Sequence, residues 1–398
     1  MKAATPQAMK RFAWDGLSLR HYFKQPGDGR KAPTISATTL AWACVMGYVL
    51  RENSYYGVEC LVKSRARRAL GLRRGFGDDA LAYFTERLDP EPTRAALASA
   101  VRQAKRNKAY AATRFIGLAF DGTGAGRRYG APCRWCHPFR NTEKEIAGYR
   151  HALSMAMVVG PGLTPLPVDV EPYGPGDCEY NASRRLLCRV VEHLGKRFAQ
   201  YAVADGEYAT APFLHDVGEM GLYAVARLKE NLPELLKAAQ ARFTNHPAQQ
   251  VLPVGGERVE LWDADDFDPW DGLRWQQVRV FRYVQHKKDG TVCEAYWLTD
   301  FPSFMASTKE LYFLAKSRWQ IENQGFNDGK NRYGLEHIPH HHENSLLIHW
   351  LFTILALVIE HLYRARYLHR GTHALLTPIE FLRLLRLNLA LPTNSGFG

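Results

Sequence analysis

The chain has 398 residues, of which 46% are hydrophobic and 23% charged. That balance excludes a wholly disordered or fibrous protein, and the length implies two or three domains, or one large domain with an insertion. The formal charge of +12, from 52 Lys and Arg against 40 Asp and Glu, favours a polyanionic partner or an acidic membrane surface.

The excess sits at one end. Residues 1–110 hold 20 Lys and Arg and 9 Asp and Glu, a net +11, while the remainder is close to neutral. This segment reads as helical, with an apolar helix over 38–50 and an amphipathic basic one over 93–108. Between them Lys63, Arg65, Arg67, Arg68, Arg73 and Arg74 place six cations within twelve residues. The cluster is either a solvated helix face or a DNA contact.

At residue 115 the texture changes. Residues 115–120 are a short apolar run ending at Asp121-Gly122, which predicts a buried strand meeting a turn. The glycine-rich stretch 122–126 reads as a flexible loop beside Asp121; its spacing does not fit a dinucleotide loop. Strands are predicted over 149–159 and 164–170, a helix over 181–200, a strand over 201–204 ending at Asp205-Gly206, a helix over 211–220 and a strand over 222–227. Three strands followed by helix–strand units give a mixed sheet with flanking helices, the element order of the ribonuclease-H-like α/β fold.

Residues 245–305 carry hairpin signals and read as a β-rich insertion, with the acids at 263, 265, 266 and 268 in an exposed turn. Helix returns over 308–327. A further helix is expected over 344–367, and its residues 346–359 are the most apolar window; at about 14 residues it suits a core helix better than a membrane span. The expected division is therefore 1–110 helical and basic, 111–244 first part of the core, 245–305 insertion, 306–370 second part of the core, and 371–398 a C-terminal tail. Seven irregularly spaced cysteines imply no disulfide framework, and the start lacks an apolar signal core. A soluble, reduced, cytoplasmic protein without membrane attachment is expected.

Two strand-terminal aspartates suit metal-assisted phosphodiester chemistry, in which carboxylates from different elements hold two divalent ions. Asp121 and Asp205 supply two of them. Glu322 is the candidate third acid, four residues after Arg318 and so on the same helix face, with Lys330 about two turns on. The plain reading of Arg318 and Glu322 is a surface ion pair.

The segments 117–123, 203–208 and 318–322 resemble the three catalytic regions of DDE-type insertion-sequence transposases. Residues 177–185 and 321–337 resemble one bacterial subgroup of them. The resemblance implies a catalytic triad of Asp121, Asp205 and Glu322 binding two Mg²⁺ or Mn²⁺, and a β-rich insertion before the third acid. It implies strand cleavage and strand transfer at terminal inverted repeats, on double-stranded DNA, by a homodimer acting at the nucleoid. Arg318 and Lys330 would touch phosphate or orient Glu322, and the N-terminal cations would grip DNA. The sequence departs from the subgroup at Ala315, where a Tyr is usual, and at Gly329, where the usual Lys falls one residue later as Lys330. A same-fold nuclease without strand transfer, and a decayed or domesticated DNA-binding relative, are the alternatives.

Cys133 and Cys136 have zinc-ligand spacing, with His137, His151 or Cys178 available to complete a structural Zn²⁺ site. The alternative is a pair of unligated thiols. The Cys-x-x-Cys-His pattern also matches c-type haem attachment, which the absence of an export signal disfavours. The run of three histidines at 340–342 reads as a solvated helix N-terminus.

Overall fold

A computed structural model describes residues 4–367 and 377–390. Seven helices come first: α1 Pro6–Arg11, α2 Arg20–Lys24, α3 Ala37–Val49, α4 Tyr55–Lys63, α5 Ala66–Ala69, α6 Asp78–Arg87 and α7 Glu91–Arg106. Ser36 and Ser54 cap α3 and α4 by accepting from the Thr39 and Gly57 amides, which would otherwise be orphaned. Then follow β1 Gly117–Arg128, β2 His137–Arg140, β3 Ile146–Val159, β4 Leu166–Tyr173, α8 Glu179–Leu194, β5 Tyr201–Ala204, α9 Ala211–Glu219, β6 Tyr223–Leu228 and α10 Pro233–Thr244. The chain continues through β7 Gln250–Val254, β8 Glu257–Phe267, β9 Val278–His286, β10 Val292–Thr299, α11 Thr308–Lys316, α12 Asn327–Tyr333, α13 Glu343–Tyr367 and α14 Pro378–Ala390.

β1 lies antiparallel to β3, and β3 antiparallel to β4, while β1, β5 and β6 run parallel. This is a mixed α/β sheet with a ribonuclease-H-like core. The four strands from 250 to 299 do not form a separate layer. β10 pairs antiparallel with β6, and β9, β8 and β7 continue outward, so one sheet runs from end to end. β6 would otherwise be an exposed edge of unpaired amides, and the insertion covers it.

Several elements differ from expectation. β1 does not stop at Asp121. It pairs with β3 as far as Arg128, so the glycine-rich stretch is strand rather than loop. The register breaks between Gly124 and Arg127. There Gly126 adopts φ +108°, and a Cβ would stand 2.4 Å from the Glu336 carbonyl oxygen, so a close crossing of chains requires the glycine. A short strand, β2, adds to the meander. α8 starts earlier and ends earlier than the periodicity suggests, stopping at Gly195 with φ +91°. The predicted helix over 308–327 is broken: α11 ends at Lys316 and a wide π turn, Ile321–Phe326, leads into α12. The acids at 263, 265 and 266 lie within β8, and Asp263 is paired with Arg279.

α13 has 25 residues, long and apolar enough to cross a membrane, but 94% of its most apolar window is buried inside the protein. It is the central core helix, packed by α3, α6, α7 and β4. Residues 1–110 are therefore no detached arm. Tyr48 Oη lies 2.9 Å from His349 Nδ1, Arg51 pairs with the buried Glu360 at 2.9 Å, and the Asn344 side-chain amide donates to the Thr85 and Leu88 carbonyls. Part of the expected tail is also ordered into the fold. α14 buries Phe381 and Leu385, and its Arg386 and Asn388 donate to the Leu50 and Ala4 carbonyls. Residues 371–376 and 391–398 of that tail lie outside the described residues.

Candidate active site

β1 and β5 pair from Gly117 opposite Tyr201 to Ala119 opposite Val203. Two residues further along each chain come Asp121, still within β1, and Asp205, just past the end of β5. Ligand sites of open α/β sheets form at such carboxyl ends. Glu322 arrives from the π turn after α11, a local widening that often marks functional helices.

One guanidinium joins the two sides. Arg318 Nη1 lies 3.2 Å from Asp121 Oδ2, and Nη2 donates to Glu322 Oε1 at 2.5 Å. Because a single planar fork spans both, the two carboxylates lie within about 8 Å of one another. The Arg318 side chain is only 7% exposed, and it stacks over Trp319. It is committed to the carboxylates rather than presented to solvent.

The segment carrying Arg318 and Glu322 is pinned at several points. Its helix begins with a capping box between Ser307 and Glu310. Upstream, Arg279 of β9 donates to the Phe301 and Ala306 carbonyls and to Asp263, which also accepts from the Thr308 hydroxyl. The insertion thus fixes the start of α11. At its end the Tyr201 hydroxyl meets Ser317 Oγ at 2.8 Å, and the Gln320 amide clamps Gly160 by accepting from its N–H (2.9 Å) and donating to its carbonyl (3.0 Å). Gly325 lets the π turn sit on β3, since a Cβ there would lie 3.1–3.2 Å from the sulfurs of Met157 and Met155.

The electrostatics divide the two aspartates. Burial raises Asp121 to about 6, helped by the nearby Glu179 and Glu322 carboxylates and opposed by Arg318 and the Gly122 amide. Burial also works to raise Asp205, but the Lys229 ammonium at 2.7 Å and the more distant Arg318 outweigh it, and its carboxyl lies below the usual range. Asp205 Oδ1 is buried without a hydrogen-bond partner.

Two residues of this site escape sequence reading as site residues. Glu179, at the first turn of α8, packs so close to β1 that a Cβ on Gly122 would stand 2.0 Å from its Oε2; its other oxygen accepts from the Tyr208 hydroxyl at 2.7 Å. It lies within the 177–185 segment whose resemblance was noted, and that was its signal. Lys229 follows β6. Once β5 and β6 are known to be parallel, residues just past β6 must lie beside Asp205.

Other expected residues fall elsewhere. Lys330 pairs with Glu336 at 2.9 Å, so Arg318, not Lys330, holds Glu322. Lys63 pairs with Glu59; Arg67 is half-buried; Arg65, Arg68, Arg73 and Arg74 are exposed on and after α5. Cys133 and Cys136 meet His151 and His341. His137 is instead turned to the Tyr173 carbonyl at 3.0 Å, and Cys178 is exposed. The histidine run is thus not simply a solvated helix start: His341 joins the thiols, and His340 pairs with Glu86.

A ribonuclease-H-like sheet thus carries one acid within its first strand and one just past β5, with a third acid on a following helical segment. Residues 116–359, more than half of the chain, match the family "Transposase DDE domain", and the chain belongs to that family. No curated protein matches it. Among solved structures, a cryo-EM structure of a piggyBac transposase synaptic complex with hairpin DNA is similar over 98% of this chain and 83% of that one, with 12% identity and a TM-score of 0.45.

Proposed function

We propose that this transposase-family protein cuts DNA at the ends of an insertion sequence and joins those ends to target DNA. Asp121, Asp205 and Glu322 would hold two Mg²⁺ or Mn²⁺. The observation that carries this reading is the Arg318 guanidinium bridging Asp121 and Glu322, with Asp205 just past the neighbouring strand β5 and within the electrostatic reach of the same Arg318. The donors suit a hard cation: all are carboxylate oxygens, Asp205 Oδ1 is buried and unpaired, and the crowding of Glu179 and Glu322 that raises Asp121 is the kind of repulsion a cation relieves. When bound, such ions activate an attacking oxygen and stabilise a leaving one in an in-line displacement.

The chain's own groups have distinct parts. Lys229 keeps Asp205 ionised. Asp121 gives up its proton only as pH passes about 6. Arg318 holds Glu322 toward Asp121 and supplies positive charge between them while cations are absent. The exposed Arg65, Arg68, Arg73 and Arg74 contact backbone phosphates of the terminal repeats, and two protomers act together on two ends, in the cytoplasm at the nucleoid.

The test uses DNA cloned from both flanks of the coding sequence, incubated with the protein and Mg²⁺. Nicked and joined products support the reading; nicks without joining leave a nuclease, and a gel shift without cutting leaves a DNA-binding relative. Asp121→Ala, Asp205→Ala and Glu322→Ala should each abolish cleavage and leave binding within about twofold, because phosphate contacts elsewhere carry the affinity. Wild-type cutting by any of the three would remove that residue from the site.

A further inference from the structure

Cys133 and Cys136 lie between β1 and β2, His151 is in β3, and His341 just precedes α13. Their four donor atoms all lie within 4.8 Å of one another, the only such His, Cys, Asp and Glu group among the described residues. The sulfurs are 3.7 Å apart, too far for the bond of about 2.05 Å in a disulfide. Cys133 Sγ is 3.5 Å from His151 Nε2, and Cys136 Sγ is 3.3 Å from His151 Nε2 and 3.5 Å from His341 Nε2. A tetrahedral Zn²⁺ with its usual bond lengths sets sulfurs about 3.8 Å apart and sulfur to nitrogen about 3.6 Å. The observed edges fit that tetrahedron. His151 is fully buried, and its Nδ1 has no hydrogen-bond partner, so the ring's polar interactions in this site run through Nε2 alone.

We propose that Cys133, Cys136, His151 and His341 bind one structural Zn²⁺. Two thiolates and two imidazoles select zinc over the hard cations that suit the carboxylate site. All four positions are filled by protein, which marks a structural rather than a catalytic ion. The ion staples the β1–β2 turn and β3 to the segment between α12 and α13. Neighbouring contacts already bring these parts together: Arg134 pairs with Glu343 at 3.0 Å, and Trp135 packs on Trp350 with ring centroids 5.9 Å apart. The strands that carry Asp121 are thereby locked to the helical part that follows Glu322. The ligand absent from the local Cys-x-x-Cys motif comes from the far end of the domain, so the site forms only in the folded chain.

The full chain, purified without chelator from zinc-supplemented cells, should carry about one zinc by elemental mass spectrometry, and Cys136→Ser and His341→Ala should each lower it at least about tenfold. His137→Ala and Cys178→Ser should keep the full content. Cobalt exchanged into the wild-type protein should give the visible bands of a tetrahedral site with thiolate charge transfer. That measurement uses the intact protein and stands even where a variant fails to fold. Wild-type protein with less than about a tenth of an equivalent of zinc, cobalt without tetrahedral thiolate bands, or undiminished zinc in Cys136→Ser or His341→Ala each overturns the proposal. None of these readouts depends on DNA cleavage.

Discussion

Asp121→Asn should make the metal-free protein more stable while destroying its activity. Asp121 is raised from 3.8 to about 6 in the folded protein, chiefly by burial. A carboxyl whose folded pKa is raised contributes stability that is complete below about pH 4 and lost as pH climbs through 6. A shift of about two units corresponds to about 3 kcal/mol at pH 7 and above. Asn has the shape of the neutral acid and carries no charge into the site, and Arg318 keeps Glu322 as its partner. The variant should therefore gain about 3 kcal/mol at pH 8, or about 4 °C in midpoint for a chain of this length. The gain should shrink to about 1 kcal/mol near pH 4.5. Parallel thermal melts of the two proteins in EDTA at both pH values measure it. Adding Mg²⁺ should close the gap at pH 8, because a ligand that binds only the folded wild type stabilises it by mass action. A variant less stable than wild type at pH 8, or a gain independent of pH, would refute the view that Asp121 is a strained carboxylate awaiting a cation.

Other perturbations test how the site is held. Lys229→Met removes the strongest of the groups that lower Asp205, leaving burial opposed only by the Gly206 amide and Arg318, so the acid limb of the cleavage profile should move to higher pH; an unmoved limb would separate Lys229 from the chemistry. Gln320→Leu leaves the buried Gly160 amide without a partner and its carbonyl with only the Leu163 N–H at 3.5 Å, and urea melts should show a loss of about 1–3 kcal/mol together with slower cleavage. Replacing Arg65, Arg68, Arg73 and Arg74 together by Ala should leave the melting midpoint within about 1 °C, since all four are exposed, while the salt slope of DNA binding falls by up to about 0.9 per lost phosphate contact. An unchanged slope would place the DNA on another face.

Local patterns carried most of the core strands, though β1 runs on past Asp121. Apolar runs that stop at Asp-Gly announced Asp121 and Asp205, and helix spacing put Arg318 beside Glu322. What stayed hidden depends on pairing between distant segments. The glycines after Asp121 look like a loop because the partner that makes them strand, β3, is not adjacent in sequence. The helix expected over 344–367 matches α13 almost to its ends, but His349 and Thr353 interrupt its apolar run and hide its place at the centre of the core. In the fold the His349 ring lies between the Tyr48 hydroxyl and the Gly334 carbonyl, so a polar residue sits in the core with both nitrogens engaged. Glu179 and Lys229 needed the strand order, and His341 needed the approach of 336–341 to β1 and the β1–β2 connection. Each was one topological fact away from being legible.

The same reasoning changes what the N-terminal charge means. A net +11 in residues 1–110 suggests a detachable DNA-binding arm, yet part of it faces inward. Arg30 pairs with Asp28, Arg51 with Glu360, and Arg94 with Asp169 and Glu91. Arg102 donates to the His193 carbonyl, and Lys105 to the Phe198 carbonyl, at and just beyond the end of α8, where the helix dipole favours cations. Arg51, Arg94, Arg102 and Lys105 fasten the helical layer to α13, to β4 and to the end of α8, while the Arg30 pair lies within the layer itself. Deleting the layer would expose the long apolar face of α13, and loss of DNA affinity in such a truncation would report unfolding. The densest exposed group of cations is the one around α5, in the part of the layer that α14 packs against; Arg11, Lys24, Lys31, Arg106 and Lys108 are exposed elsewhere in the layer. The fold therefore uses one excess of positive charge in two ways: a smaller part as buried or half-buried ties, and a larger exposed part, densest around α5, as surface open to a polyanion. The separation is testable because the two sets sit on different residues. Substituting the inward set should lower stability with little change in salt slope, and substituting the outward set should do the reverse.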